Sequence, residues 1–291
     1  MPTNLARAGL TGIVYMVLAN GSITINNALI KLAVVELPPM QAMFLRAIAA
    51  VLLGLLVLAA TSSLASLRHI AAPRVLARSI VECGAAIAFV LAVATAPLAD
   101  LTAILQLTPM LVLLGAMLFF GDKVPRMAVA LVGLAMLGAV LVAQPGGHGL
   151  EPYVLFGLLS ATLSAGRDLL GRRVALEIPG LAVAIGVSAV SIVVIGAATL
   201  LFEQWVTPSL GQLALIAAAG AFLTLAQLLL FLAFRVAPTS AVLPFFYTGT
   251  LWALLIGALV FGALPNGLAL VGMALIVLSG VLVLVERQRS R

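Results

Sequence analysis

Ten apolar stretches of about twenty residues divide this chain almost end to end. They run over 9–30, 39–60, 75–96, 98–120, 126–143, 152–173, 180–202, 210–235, 240–261 and 265–285. Their ends fall at proline, glycine and charge clusters such as "VELPP", "FFGDKVPR", "QPGGHGLEP" and "FGALPNG". A helix needs about 20 residues to cross the hydrocarbon core of a bilayer, whereas a transmembrane strand needs about ten that alternate. The stretches are too long for strands and predict helices. Composition agrees: 8% of the residues are charged, against roughly 25% in soluble domains. The expected class is an all-α integral membrane protein with ten transmembrane helices.

A net charge of +6 invites a nucleic-acid reading, but the distribution of charge points elsewhere. With the N-terminus placed in the cytoplasm, 13 of the 15 lysines and arginines fall at cytoplasmic ends. Only Lys31 then lies outside, and Arg46 lies within a span. This positive-inside bias predicts that both termini are cytoplasmic and that the chain is a multi-pass protein of the inner (plasma) membrane. The basic residues are assigned to topology and to the headgroups of the lipid bilayer, with no nucleic-acid partner. The first apolar stretch has the length of a span and no convincing cleavage site, so it is expected to be a retained helix. Cys83 is the single cysteine, and His69 and His148 stand apart, so no metal site and no cofactor is expected.

The chain also repeats itself at an offset of 141 residues. "ELPPM" at Glu36 meets "EIPGL" at Glu177, and "TAPLADLTAIL" with Pro97 meets "VAPTSAVLPFF" with Pro238. "MLFFGDKVP" meets "LVFGALPNG", pairing Gly121 with Gly262 and Phe120 with Phe261. Residues 1–146 and 147–291 are therefore expected to be two five-helix repeats. Five is odd, so the second repeat enters the membrane from the opposite face. Two inverted halves around a shared cavity are the architecture of alternating access. A duplication that only built a stable bundle is the plainer alternative.

"PPMQAMFLRAIAA", "AVATAPLADLTAILQLTPMLVLLGAMLFFGD" and "FRVAPTSAVLPFFYTGTLWALLIGALVFG" resemble the drug/metabolite transporter superfamily. They are most similar to its ten-helix EamA-type members, and among those to bacterial exporters of aromatic and other amino acids. The resemblance covers nearly the whole chain and implies a basket of helices around a central cavity. Arg46 matches an arginine of the family's second helix. Where the family often carries Glu after the glycine that closes helices 4 and 9, this chain has Asp122 and Ala263.

Polar side chains inside the spans are the candidate site. Asn20, Thr24, Asn27 and Lys31 follow i, i+4, i+7, i+11 spacing and form one stripe on helix 1, with Tyr15, Ser22 and Asn26 beside it. An amide facing lipid leaves costly unpaired donors, so the stripe faces protein or water, as cavity lining or as interhelical hydrogen bonding. Ser160 and Ser164 lie on helix 6, and Gln227 with Thr224 on helix 8. Gln106 and Tyr247 are related by the repeat offset. The expected substrate-binding set is Tyr15, Asn20, Thr24, Asn27, Glu82, Gln106, Ser160, Ser164, Gln227 and Tyr247. Glu82 sits four residues from Arg78 and can pair with it on one helix face, either as a structural partner or as a substrate or proton site. Arg46, Arg78, Arg167 and Asp168 are expected to be gating or structural charges.

These features predict a secondary transporter, not an enzyme. It would move a small-molecule substrate by alternating access, export being the direction that the resemblance implies. A cavity of amides, hydroxyls and aromatics with few fixed charges suits an amino acid, including aromatic or other apolar ones. The alternative is a proton-coupled exporter of hydrophobic cations, which would need a deep carboxylate, and Glu82 is the one candidate. A monomer is sufficient for either reading.

Overall fold

A computed structural model describes residues 2–61, 63–93, 104–144, 152–262 and 266–289. The expected opening of the fourth span at 98, the Pro97 landmark, His148 and Ala263 lie outside them. The described residues form helices α1 (Pro2–Ala33), α2 (Pro39–Ala60), α3 (Pro73–Val93), α4 (Thr108–Phe120), α5 (Arg126–Ala143) and α6 (Pro152–Arg172). These are followed by α7 (Gly180–Phe202), α8 (Leu210–Val236), α9 (Thr239–Phe246), α10 (Thr248–Phe261) and α11 (Gly267–Arg289). A short 3₁₀ helix over Leu64–Ala71 joins α2 to α3. Among the described residues six segments are long and apolar enough to cross a membrane, counting Thr239–Phe261 as one, and three shorter apolar helices accompany them.

Proline and glycine set the helix boundaries. Pro39, Pro73 and Pro152 open helices, at positions where a missing N–H costs nothing and the fixed φ already suits a helix. α4 and α10 both stop at a glycine in the left-handed region, Gly121 at φ 65° and Gly262 at φ 66°. A side chain would be strained there. Pro38 and Pro179 are the N-caps of α2 and α7. α2 and α7 begin 141 residues apart, as do α5 and α11, and α4 and α10 end 141 apart.

The expected ninth span, 240–261, is divided. α9 carries Pro244 internally, and a turn at Tyr247 separates it from α10. Pro244 removes one backbone donor from the helical ladder. At the break the Phe245 carbonyl accepts from Asn20 Nδ2 at 3.2 Å and from the Thr248 hydroxyl at 2.7 Å. A comparable turn at Gln106 and Leu107 precedes α4.

Helix α1 packs chiefly along α8, α3 along α6, α2 along α7, and α5 along α11. Small residues permit this. A Cβ at Gly220 of α8 would meet the Ala50 nitrogen at 2.9 Å and the Arg46 carbonyl at 3.0 Å, so α8 lies directly on the α2 backbone. Gly138 of α5 and Gly272 of α11 face each other main chain to main chain, each on the other's carbonyl. The largest buried cluster, around Met16, Leu113, Val132, Phe245 and Ile276, joins α1, α4, α5, α9 and α11. Leu118, Leu200 and Leu259 are among many large apolar side chains left exposed, an outer surface suited to hydrocarbon.

Candidate functional site: a cavity with polar residues inside the helix bundle

Helices α1, α2, α3, α6, α7 and α8 enclose a two-lobed cavity. One lobe, about 290 Å³, is lined by Asn26, Asn27, Arg46, Glu82, Ser164 and Gln227, among others. The second, about 340 Å³, shares Asn27, Glu82, Ser164, Arg167 and Gln227 and adds Asn20 and Gln106. Helix periodicity puts these groups on common faces. Asn20, Ile23 and Asn27 lie at i, i+3, i+7 on α1. Gly220, Thr224 and Gln227 lie at i, i+4, i+7 on α8, where Gly220 fixes the approach to α2. Arg46 is seven residues into α2 and Glu82 nine into α3, about 10 Å and 14 Å from the helix starts. Both therefore sit well inside their helices.

A charged cluster closes one wall. Arg78 and Glu82 on α3 pair at 3.4 Å, Arg167 on α6 reaches Glu82 at 3.1 Å, and Arg167 holds its neighbour Asp168 at 2.8 Å. Arg78 also lies 5.9 Å from the Phe231 ring. Glu82 thus ties α3 to α6 through two guanidinium groups. Arg46 stands apart. Among the described residues its one hydrogen bond is from Nη1 to the Asn26 side-chain oxygen at 3.3 Å, and its buried Nε has no partner. The Gln227 side-chain oxygen is likewise buried and unpartnered. Among the described residues these three arginines against two carboxylates carry one net positive charge.

The expected binding residues divide. Asn27, Glu82, Ser160, Ser164, Gln227, Asn20 and Gln106 line the lobes. Several also carry structural hydrogen bonds. Asn20 donates to the α9–α10 break, Ser160 to the Ala85 carbonyl at 2.9 Å, and Gln106 Nε2 to the Thr250 hydroxyl at 2.8 Å. Tyr15, Thr24 and Tyr247 are placed elsewhere. Tyr15 packs against the main core, and Thr24 donates to the Asn20 carbonyl of its own helix at 2.7 Å. Tyr247 is fully buried, with its hydroxyl on the Gln106 carbonyl at 3.0 Å. The offset-related pair is therefore in direct contact, with Gln106 alone on the cavity. Trp252 takes a packing role: its indole lies against Gly21 and donates to the Val17 carbonyl at 3.1 Å.

Sequence reasoning missed Ser188 and Ser191, which line the first lobe from α7. Two hydroxyls three apart in an apolar helix were the available signal. It also missed a wholly apolar recess of about 360 Å³ between α2, α3 and α7. The recess shares Met43, Ala86 and Ile195 with the first lobe.

Two further contacts mark the helix ends. Arg172, in the last turn of α6, makes a two-pronged ion pair with Asp122 at 2.8 and 3.3 Å and lies 4.3 Å over the Phe120 ring. Lys31, in the last turn of α1, lies 4.3 Å over the Phe261 ring.

A crystallographically solved protein shares this fold with a TM-score of 0.81 at 18% identity, over 98% of this chain and 99% of that one. Pseudopaline exporters, each named CntI, from two strains of Pseudomonas aeruginosa are 29% identical over 164 residues. The match takes in 56% of this chain and 57% of theirs, so it spans little more than half the length of these curated relatives. Residues 10–144 match the EamA-like transporter family. That match takes in a little under half of the chain, and over it the chain is similar to EamA-like transporters.

Proposed function

We propose that this chain is a secondary transporter of the inner membrane that exports a small amino-acid-like metabolite by alternating access. In this reading ten spans form two inverted repeats, 1–146 and 147–291, with both termini in the cytoplasm. The packing scheme supports the repeat. Exchanging the halves turns the α1–α8 contact into the α6–α3 contact and maps α2–α7 and α5–α11 onto themselves. Export follows the direction named for the pseudopaline relatives.

One observation carries the choice of substrate: the described residues around the cavity set amides and hydroxyls among apolar side chains and carry one net positive charge. That charge favours a molecule with a single carboxylate. The adjoining apolar recess offers room for an apolar side chain. A hydrophobic cation fits poorly, because Glu82, the acceptor it would need, is already held by Arg78 and Arg167.

The test is uptake into proteoliposomes, screened across radiolabelled L-amino acids with and without a pH gradient, with ethidium as the cationic comparator. Saturable movement of at least one amino acid, and none of ethidium, is expected. Ethidium transport that is driven by the gradient and abolished by Glu82→Gln would establish the cation reading instead.

A further inference from the structure

We propose that Arg46 is the carboxylate-recognising residue of the cavity, and that the side-chain oxygen of Gln227 accepts the amine of the same molecule. The inference rests on the transport reading and assigns the residues that determine its specificity.

A guanidinium offers five N–H donors in a planar fork. Arg46 uses one of them, on Asn26, and its buried Nε has no protein partner. Asn26 is in turn fixed, since its Nδ2 donates to Asn27 Oδ1 at 2.8 Å, which keeps its oxygen on Arg46. Among the described residues no carboxylate lies within ion-pairing distance of Arg46: Glu82 is taken by Arg78 and Arg167, and Asp168 by Arg167. A charge held inside the bundle without a directly paired counter-charge is unfavourable. One carboxylate neutralises it, and the planar fork matches that group with two parallel hydrogen bonds. A dianion or a cation would leave an unbalanced charge.

Gln227 completes the head-group site. It lies two turns beyond Gly220, which sits on the Arg46 carbonyl, and it lines the same lobe as Arg46. Its oxygen is an acceptor without a donor, the complement of an ammonium N–H. The apolar recess, sharing Met43, Ala86 and Ile195 with that lobe, then receives the side chain. The ligand class is an α-amino monocarboxylate with a bulky apolar side chain.

The experiment uses the full chain in proteoliposomes. The best-transported L-amino acid of the screen is competed with its own primary amide, which lacks the negative charge, and with its deamino acid, which lacks the amine. Charge-assisted hydrogen bonds predict that the wild type prefers the acid over the amide by about tenfold or more. Arg46→Gln raises KM for the acid by about tenfold and removes most of the preference, and Arg46→Lys keeps part of it because a point charge replaces the fork. Gln227→Leu weakens the amino acid relative to the deamino acid and leaves the acid-to-amide preference in place.

A wild-type protein that transports an amino acid yet treats acid and amide alike overturns the proposal without any variant. So does an Arg46→Gln protein that reconstitutes normally and keeps the preference. In both cases the transport reading survives. A wild type that moves ethidium and no amino acid overturns both.

Discussion

Lys31 and Arg172 stand 141 residues apart and hold the same relation to an aromatic ring. Each lies in the last turn of its helix with its charge 4.3 Å over a phenylalanine, Phe261 and Phe120 respectively, themselves 141 apart. The contacts differ in one respect. Asp122 adds a two-pronged ion pair to the Arg172 contact, so that helix end is tied more firmly than its counterpart at Lys31.

That difference predicts unequal effects on opening. In a Cys83→Ala background, a cysteine at Ser164 reports access to the cavity through its rate of modification by an impermeant thiol reagent. A partly exposed ion pair contributes up to about 1 kcal/mol, so Asp122→Asn should raise labelling from the Arg172 face roughly fivefold or less. Lys31→Met removes an exposed cation–π contact of about 0.5–1 kcal/mol. It should raise labelling from the other face by a smaller factor. Equal changes on both faces would mean that these contacts only brace the helices.

Glu82 is expected to be a stability residue. Among the described residues Glu82→Gln leaves Arg78 and Arg167 with Asp168 as the one remaining carboxylate of the cluster. Removing one partner of a buried pair costs about 3–5 kcal/mol, and the side chain, 18% exposed, belongs at the lower end. The Tm in detergent should fall clearly, and Arg78→Met combined with Glu82→Gln should recover more than half of the loss. No recovery in the double variant would show that Arg78 is not the group left unpaired.

Tyr247 should act on structure and not on substrate affinity. Its ring belongs to the core, and its hydroxyl satisfies the Gln106 carbonyl just before α4. Tyr247→Phe orphans that carbonyl at about 1–3 kcal/mol, which predicts a lower Tm with KM unchanged. A KM change of tenfold without a change in Tm would return Tyr247 to the binding site.

How much of this was legible depended on which forces fix each feature. Pro38 with Pro179 and Gly121 with Gly262 act locally through φ and a missing donor, so their pairing along the sequence reappears as paired helix ends. The stripe on α1 was legible because an amide cannot face lipid. Tyr247 was misplaced because its hydroxyl is satisfied by one carbonyl inside the core, and sequence spacing does not reveal that carbonyl. The relation of Arg46 to Asn26, and its freedom from any carboxylate, depend on how α1, α2 and α8 are set against one another. Gly220 controls that setting from 174 residues away. The break at Tyr247 follows from Pro244, but its position follows from Asn20 on a different helix.

The contact of Gly138 with Gly272 has a mechanical consequence. Side chains can change rotamer to let helices shear, but backbone resting on backbone has no such slack. α5 and α11 can pivot about that point and cannot easily slide along each other. In the proposed alternating-access cycle the opening of the cavity turns around this pillar, with the displacement taken up by the helices packed around it.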